Sequence, residues 1–247
     1  MQIGKLEFPD YLFKVCEKEE YIDQLLEGKL YMKESGYFRK LEDGFRGDPF
    51  DGRGTVDLGD TEVYLESEDG ERIYLNGVPG VKLQNFTFGF SGDDKIPIFC
   101  ACMMDERMVE VTGENSFRIK REYLDEMKKF GTHILFIPYG EMRSKLEEYN
   151  SKHPEIAFYE GPVRYTDIMK EYQVADIEDK SWQKEVETFF IKDEKYKYQN
   201  EWRILACAEQ PLIGENTDFW TCDLGEFQYA LKMGISDLEN GEFHISS

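Results

Sequence analysis

Strand-like and helix-like stretches follow one another in this chain without a regular βαβ alternation, and hairpin signals recur. That order fits a mixed α+β fold with mainly antiparallel sheets and several flanking helices better than a doubly wound parallel sheet. Tyr11-Leu12-Phe13-Lys14-Val15 reads as a short strand. Residues 17–27 then carry Ile22, Leu25 and Leu26 at helical spacing, with Gly28 as the stop. Leu30-Tyr31-Met32 reads as a returning strand that runs into the glycine-rich stretch 44–54. Asp69-Gly70 stands between Val63 and Leu65 on one side and Ile73 and Leu75 on the other, the pattern of a β-hairpin.

Further on, 81–90 and 96–104 read as strands, the second apolar enough to be central, with Pro97 at its beginning. A helix is predicted over 121–130 from Tyr123, Met127 and Phe130, then a strand over 133–138, then a helix bearing Met142, Leu146 and Tyr149. A strand at 163–166, a helix carrying Trp182, Val186, Phe189 and Phe190, a strand over 201–208 and a β-rich end at 217–246 complete the pattern. No repeat or low-complexity linker divides it, so residues 1–247 are expected to form one domain, with the hairpin at about 59–78 as an insertion.

Composition narrows the function classes. The start Met1-Gln2-Ile3-Gly4-Lys5-Leu6-Glu7 has neither the basic opening nor the apolar run of a signal peptide. No window approaches the roughly 18 apolar residues of a membrane span, so a soluble, cytoplasmic protein is expected. The five cysteines at 16, 100, 102, 207 and 222 are odd in number and lie mostly in apolar surroundings, which suits buried thiols better than disulfides. Cys100-Ala101-Cys102 is too close for a zinc knuckle, and His133, His153 and His244 are scattered, so no metal site is expected. The formal charge of −21 is spread along the chain without a basic stripe. Extended contact with a phosphate backbone is therefore not expected, whereas an acidic surface remains open to a protein partner.

Two segments mix charges with large aromatics: Phe45-Arg46-Gly47-Asp48-Pro49-Phe50-Asp51-Gly52-Arg53 and Tyr198-Gln199-Asn200-Glu201-Trp202-Arg203-Ile204. If 199–205 is extended, Gln199, Glu201, Arg203 and Leu205 share one face and Trp202, Ile204 and Ala206 the other, the core. The first face then presents an amide, a carboxylate and a guanidinium in a row, either to orient a ligand or to pair internally. In the glycine-rich segment, Gly47, Gly52 and Gly54 with Pro49 hold Asp48 and Asp51 at defined angles. Such a turn can hold a site, but the reading favoured over a catalytic one is scaffold, with Asp48 capping backbone amides and Asp51 pairing with Arg46 or Arg53. No phosphate loop, dinucleotide fingerprint, zincin helix or nucleophile elbow is present.

These segments carry a resemblance. Phe45, Asp48, Pro49, Phe50 and Asp51, then Pro162, Val163 and Tyr165, then Tyr198, Glu201, Trp202 and Arg203 resemble an uncharacterised bacterial family with F-N-D-P-F-[DE] early and W-x-[YF]-E-x-E-W-R late, often found near phage-defence genes. Gly47 stands where the family has Asn and Gln199 where it has the first Glu, and its M-W-x-x-Y phrase is missing near Met103 and Met104. More remotely, Gln199-Asn200-Glu201 is similar to the [Q/E]-x-E of ADP-ribosyltransferases. That resemblance implies an ADP-ribosyltransferase-like core that takes NAD and passes ADP-ribose to a macromolecular acceptor. Glu201 would be the catalytic carboxylate facing the oxocarbenium-like transition state and Gln199 the acceptor-orienting amide. Lys14, Tyr31, Arg203, Asp48 and Asp51 would be cofactor-binding or site-organising groups. The alternatives are a non-enzymatic sensor of a phage product or nucleotide, and an abortive-infection toxin or antitoxin component.

Overall fold

The computed structural model describes residues 2–3, 6–7, 11–41, 47–58, 64–74, 85–89, 92–172 and 181–244. The fold is mixed α+β with mostly antiparallel sheets and several helices. Its residues group into two compact units, neither continuous in sequence: 1–34, 94–163 and 198–247 form one, 35–93 and 164–197 the other. No helix among the described residues is long and apolar enough to cross a membrane.

The first unit is built from β1 (Tyr11–Cys16), α1 (Glu19–Leu26), β2 (Lys29–Glu34), β3 (Pro97–Met103), β4 (Val109–Gly113), β5 (Ser116–Ile119), α2 (Arg121–Met127), β6 (His133–Pro138), α3 (Tyr139–Lys152), β7 (Ile156–Pro162), β8 (Glu201–Ala208), β9 (Phe219–Asp223), β10 (Leu231–Gly234), α4 (Ile235–Asn240) and β11 (Phe243–His244). Its eight-stranded sheet runs β7-β8-β3-β1-β6-β10, with β2 joined to β3 and β9 joined to β2, every pairing antiparallel. The sheet forks at β3. One edge of β3 lies along β8, while the other is shared by β1, at Met103 and Cys102, and by β2, at Ile98 and Pro97.

Each sheet face has its own core. Ile22 and Leu25 of α1 and Met142 and Leu146 of α3 cover Leu12, Phe99, Leu135, Trp202, Ile204 and Ala206. On the other face Leu124, Met127, Ile235 and Leu238 join Phe13, Ile134 and Phe136, with Phe117 of the β4-β5-β11 sheet. A fully buried side chain of this size contributes about 1.5–3 kcal/mol, so these clusters dominate the unit's stability. The predicted stop at Gly28 is real. Its φ of 95° is left-handed, and an added Cβ would lie 2.2 Å from the Gly225 carbonyl oxygen.

In the second unit Gly54–Asp57 pairs antiparallel with Asn85–Phe88, and Arg164–Thr166 pairs in parallel with Ile191–Asp193. Short helices Ser35–Lys40, Ile168–Glu171 and Trp182–Thr188 accompany them. The hairpin forms between Tyr64–Glu66 and Arg72–Tyr74, with Gly70 at φ 81° in its turn. Val63, Leu75 and the stretch 81–84 lie outside the described residues, as do Phe45 and Arg46. One expectation is corrected here. The chain turns into helix Ser35–Lys40 after Glu34 instead of running as a strand into the glycine-rich stretch.

Candidate functional site

The late motif lies on β8. Glu201 opens the strand and Arg203 follows two positions on, so the pleat puts both on one face about 7 Å apart along the strand. The arginine Nε donates to Glu201 Oε1 at 2.6 Å, and exposure is 6% for Glu201 and 0% for Arg203. Gly161 stands across from Arg203 on β7. Trp202, Ile204 and Ala206 fill the core on the opposite face, as the alternation predicts.

The expected open row of polar groups is corrected in two respects. First, β8 is buried on both faces from Glu201 to Cys207. Second, Gln199 does not belong to the strand. It ends a 3-10 helix, Glu194–Gln199, and is buried. Asn200 between them has a φ of 42°, the left-handed region that Asn tolerates better than most residues, and this breaks the alternation. Asn200 is a residue sequence reasoning passed over. Its backbone oxygen accepts from Met103 N at 2.9 Å, its Nδ2 donates to the Met103 carbonyl, and its Oδ1 accepts from Arg107 at 3.1 Å. The one signal for it was an Asn immediately before a strand.

Cross-strand partners share a face, so the register separates the remaining residues of this unit. Glu201 and Arg203 face the same way as Cys102 and Cys100, and through Ile98 the same way as Lys33 and Tyr31. Lys14 pairs with Leu135 and shares the opposite face with Phe99 and Trp202. Its ammonium sits 4.9 Å from the Phe99 ring centroid and donates to the Cys100 carbonyl at 2.6 Å, where the sheet forks. The structure therefore brings Glu201 and Arg203 into contact, sets Tyr31 on their face, and turns Lys14 away from them. Tyr31 is 47% exposed and stacks on Phe219, ring centroids 4.9 Å apart.

The early motif belongs to the second unit. Asp48 is buried and its Oδ1 accepts from Phe50 N at 3.0 Å, the backbone-capping role open to it from sequence. Asp51 N donates to the Asp48 carbonyl at 3.0 Å and Arg53 N to that of Phe50 at 2.9 Å, so the glycine-rich stretch is a run of tight turns. Gly52, at φ 67°, packs where a Cβ would strike the Phe189 ring. The Asp51 carboxylate is fully buried 3.8 Å from Lys192 Nζ, itself buried. Arg39 donates to the Asp51 carbonyl at 2.5 Å and pairs with Asp93 at 3.1 Å, and Arg53 lies 3.6 Å from Asp93. Pairing of Asp51 with Lys192 was not legible, because a lysine alternating with Ile191 reads as a solvent-facing strand position. Arg46, the other partner considered, lies outside the described residues.

Chemically, both motifs hold buried, compensated charge. A carboxylate that must stabilise a developing cation on a substrate needs to be reached by it. Glu201 instead spends an oxygen on Arg203. Among the described residues no group of three or more His, Cys, Asp or Glu is disposed to hold a metal ion. The five cysteines are free thiols, and burial pushes Cys207 and Cys222 up to about 12. No protein-family model, curated protein or solved structure matches the chain.

Proposed function

We propose that this chain works by recognition rather than by turnover: a non-enzymatic sensor or binding module whose acidic surface meets a partner protein, in the phage-defence setting that the motif resemblance implies. One observation carries this reading. The carboxylate on which an ADP-ribosyltransferase-like reaction would depend, Glu201, is buried and paired with Arg203 at 2.6 Å, and Lys14 faces the other side of the sheet. Parting a buried ion pair of this kind leaves an uncompensated charge out of water and is expensive, which makes it a poor reservoir of catalytic charge.

The rival is the ADP-ribosyltransferase-like enzyme, transferring ADP-ribose from NAD, with Glu201 catalytic and Gln199 orienting the acceptor. It is favoured by Tyr31 sharing the sheet face of Glu201 and Arg203. Incubating the purified protein with NAD and a bacterial lysate separates the two. The recognition reading expects no released nicotinamide and no labelled lysate component, with ligand mass unchanged after any binding seen by calorimetry. NAD consumption abolished by Glu201→Gln in a variant that still folds would sink it. Growth arrest on expression of the chain alone would identify a toxin instead.

A further inference from the structure

The eight-stranded sheet ends at three edges, and two are guarded. Strand β7 ends in Gly161-Pro162, and its Glu160 is held by Tyr139 at 3.2 Å and Arg143 at 3.3 Å from α3. Strand β10 is four residues long and carries Lys232 in its interior, fastened to Glu19 at 2.8 Å and to Asp23. Proline, interior lysines and short length are the ordinary means of blocking strand addition. Strand β9, Phe-Trp-Thr-Cys-Asp, has no Pro, Gly, Lys or Arg.

Its backbone orientation follows from the ladder. The Asp218 carbonyl accepts from Glu34 N and Leu224 N donates to the Gly28 carbonyl, so the even-numbered residues face β2. Antiparallel alternation then turns the N–H and C=O groups of Phe219, Thr221 and Asp223 outward. Among the described residues these groups have no backbone partner, and all three residues are exposed. Phe219, 41% exposed, stacks with Tyr31 beside this edge. Along the chain the charge here has one sign: residues 204–231 contain Glu209, Glu215, Asp218, Asp223 and Glu226 and no Lys or Arg. Lysines from elsewhere adjoin the two ends of the strand, Lys95 donating to the Thr217 carbonyl at 2.9 Å and, part-buried, Lys145 to that of Leu224 at 3.5 Å. The nearby lysines of β2 are engaged, Lys33 with Asp218 at 2.7 Å and, just at its start, Lys29 with Glu27 at 2.8 Å.

We infer that β9 is a docking edge for an extended, basic peptide segment of a partner protein, added as the next strand. Main-chain pairing with Phe219, Thr221 and Asp223 supplies the register. The flanking carboxylates select lysine and arginine, and the Tyr31–Phe219 stack offers an aromatic face to a cationic side chain. A second copy of this chain is disfavoured as occupant, because the same acidic stretch would face itself. The inference rests on the recognition reading above, yet its test is separate: NAD turnover would sink that reading and leave the edge untouched, whereas the titration below addresses the edge alone.

The probe is a fluorescein-labelled ten-residue peptide alternating lysine and valine, followed by anisotropy, with a version N-methylated along one edge as control. Wild-type protein is expected to bind with a Kd below about 100 μM at low salt and more weakly as salt rises. Thr221→Pro removes an outward N–H without touching the β2 ladder, and is expected to weaken binding about tenfold or more. Asp223→Asn with Glu226→Gln, which leaves the backbone intact, is expected to weaken it about threefold and to flatten the salt dependence. The N-methylated peptide should not bind. Equal binding of that peptide, or undiminished affinity in a folded Thr221→Pro variant, would reduce the effect to charge alone and overturn the proposal. So would an absence of binding at about 1 mM peptide, or self-association of the wild type that Thr221→Pro abolishes.

Discussion

Arg203 and Glu201 are joined side chain to side chain along a single strand, Nε to Oε1 at 2.6 Å, with both groups sealed from solvent. Removing the guanidinium leaves a buried carboxylate without that counter-charge. Arg203→Met is therefore expected to cost about 3–5 kcal/mol, a fall in melting temperature of roughly 6–20 °C for a chain of this size. Glu201→Gln keeps the shape and an acceptor oxygen, and about 1–3 kcal/mol is expected. Urea unfolding followed by circular dichroism measures both. Two variants as stable as the wild type would show that the pair does not hold the fold.

Lys14 gives a second test, at the fork of the sheet. Lys14→Met keeps an apolar stem against Phe99 but removes the charged donor to the Cys100 carbonyl where β1 and β2 part. A loss of about 1–3 kcal/mol is expected, with faster amide exchange in β3 around Cys100. Unchanged exchange there would detach Lys14 from the fork.

Asn200 separates backbone from side chain. Asn200→Gly keeps the left-handed conformation and loses the contacts with Met103 and Arg107, whereas Asn200→Val loses those contacts and strains the backbone. The valine variant is expected to be the less stable of the two by about 1–2 kcal/mol. Equal stabilities by thermal melting would mean that the turn relaxes.

Burial raises the thiols of Cys207 and Cys222 to about 12, against about 8.5 when unfolded. Both should resist iodoacetamide in the folded protein at pH 8 and react once urea unfolds it, as read by peptide mass spectrometry. A folded-state pKa above the unfolded one means that the stabilising contribution is complete below about pH 8.5. It is lost as the pH climbs toward 12. Cys222→Ala should flatten that alkaline slope.

Local patterns were legible where they depend on neighbours along the chain. Gly28 ended its helix, Asp69-Gly70 turned its hairpin, and Trp202, Ile204 and Ala206 took the core side of β8. What stayed hidden depends on register. That Lys14 and Glu201 lie on opposite faces follows from β1 pairing with β3 and β3 with β8, partners that stand far apart in the sequence. The burial of Arg203 was hidden for the same reason, because alternation distinguishes two faces without saying that both are covered. Helix Ser35–Lys40 escaped because Ser-Gly-Tyr-Phe-Arg-Lys carries a helix-weakening glycine and no apolar repeat.

The dispersed segments of the first unit set a schedule for the growing chain. Strand β3 is finished at Met103, but β8, which covers one whole edge of it, begins only at Glu201. Those intervening ~100 residues take about 5–20 s to synthesise at typical rates. For that interval on the ribosome, Ile98, Phe99 and Ala101 wait beside an unpaired strand edge. Chaperone capture of nascent chains arrested between these two strands is the expected mark of that delay.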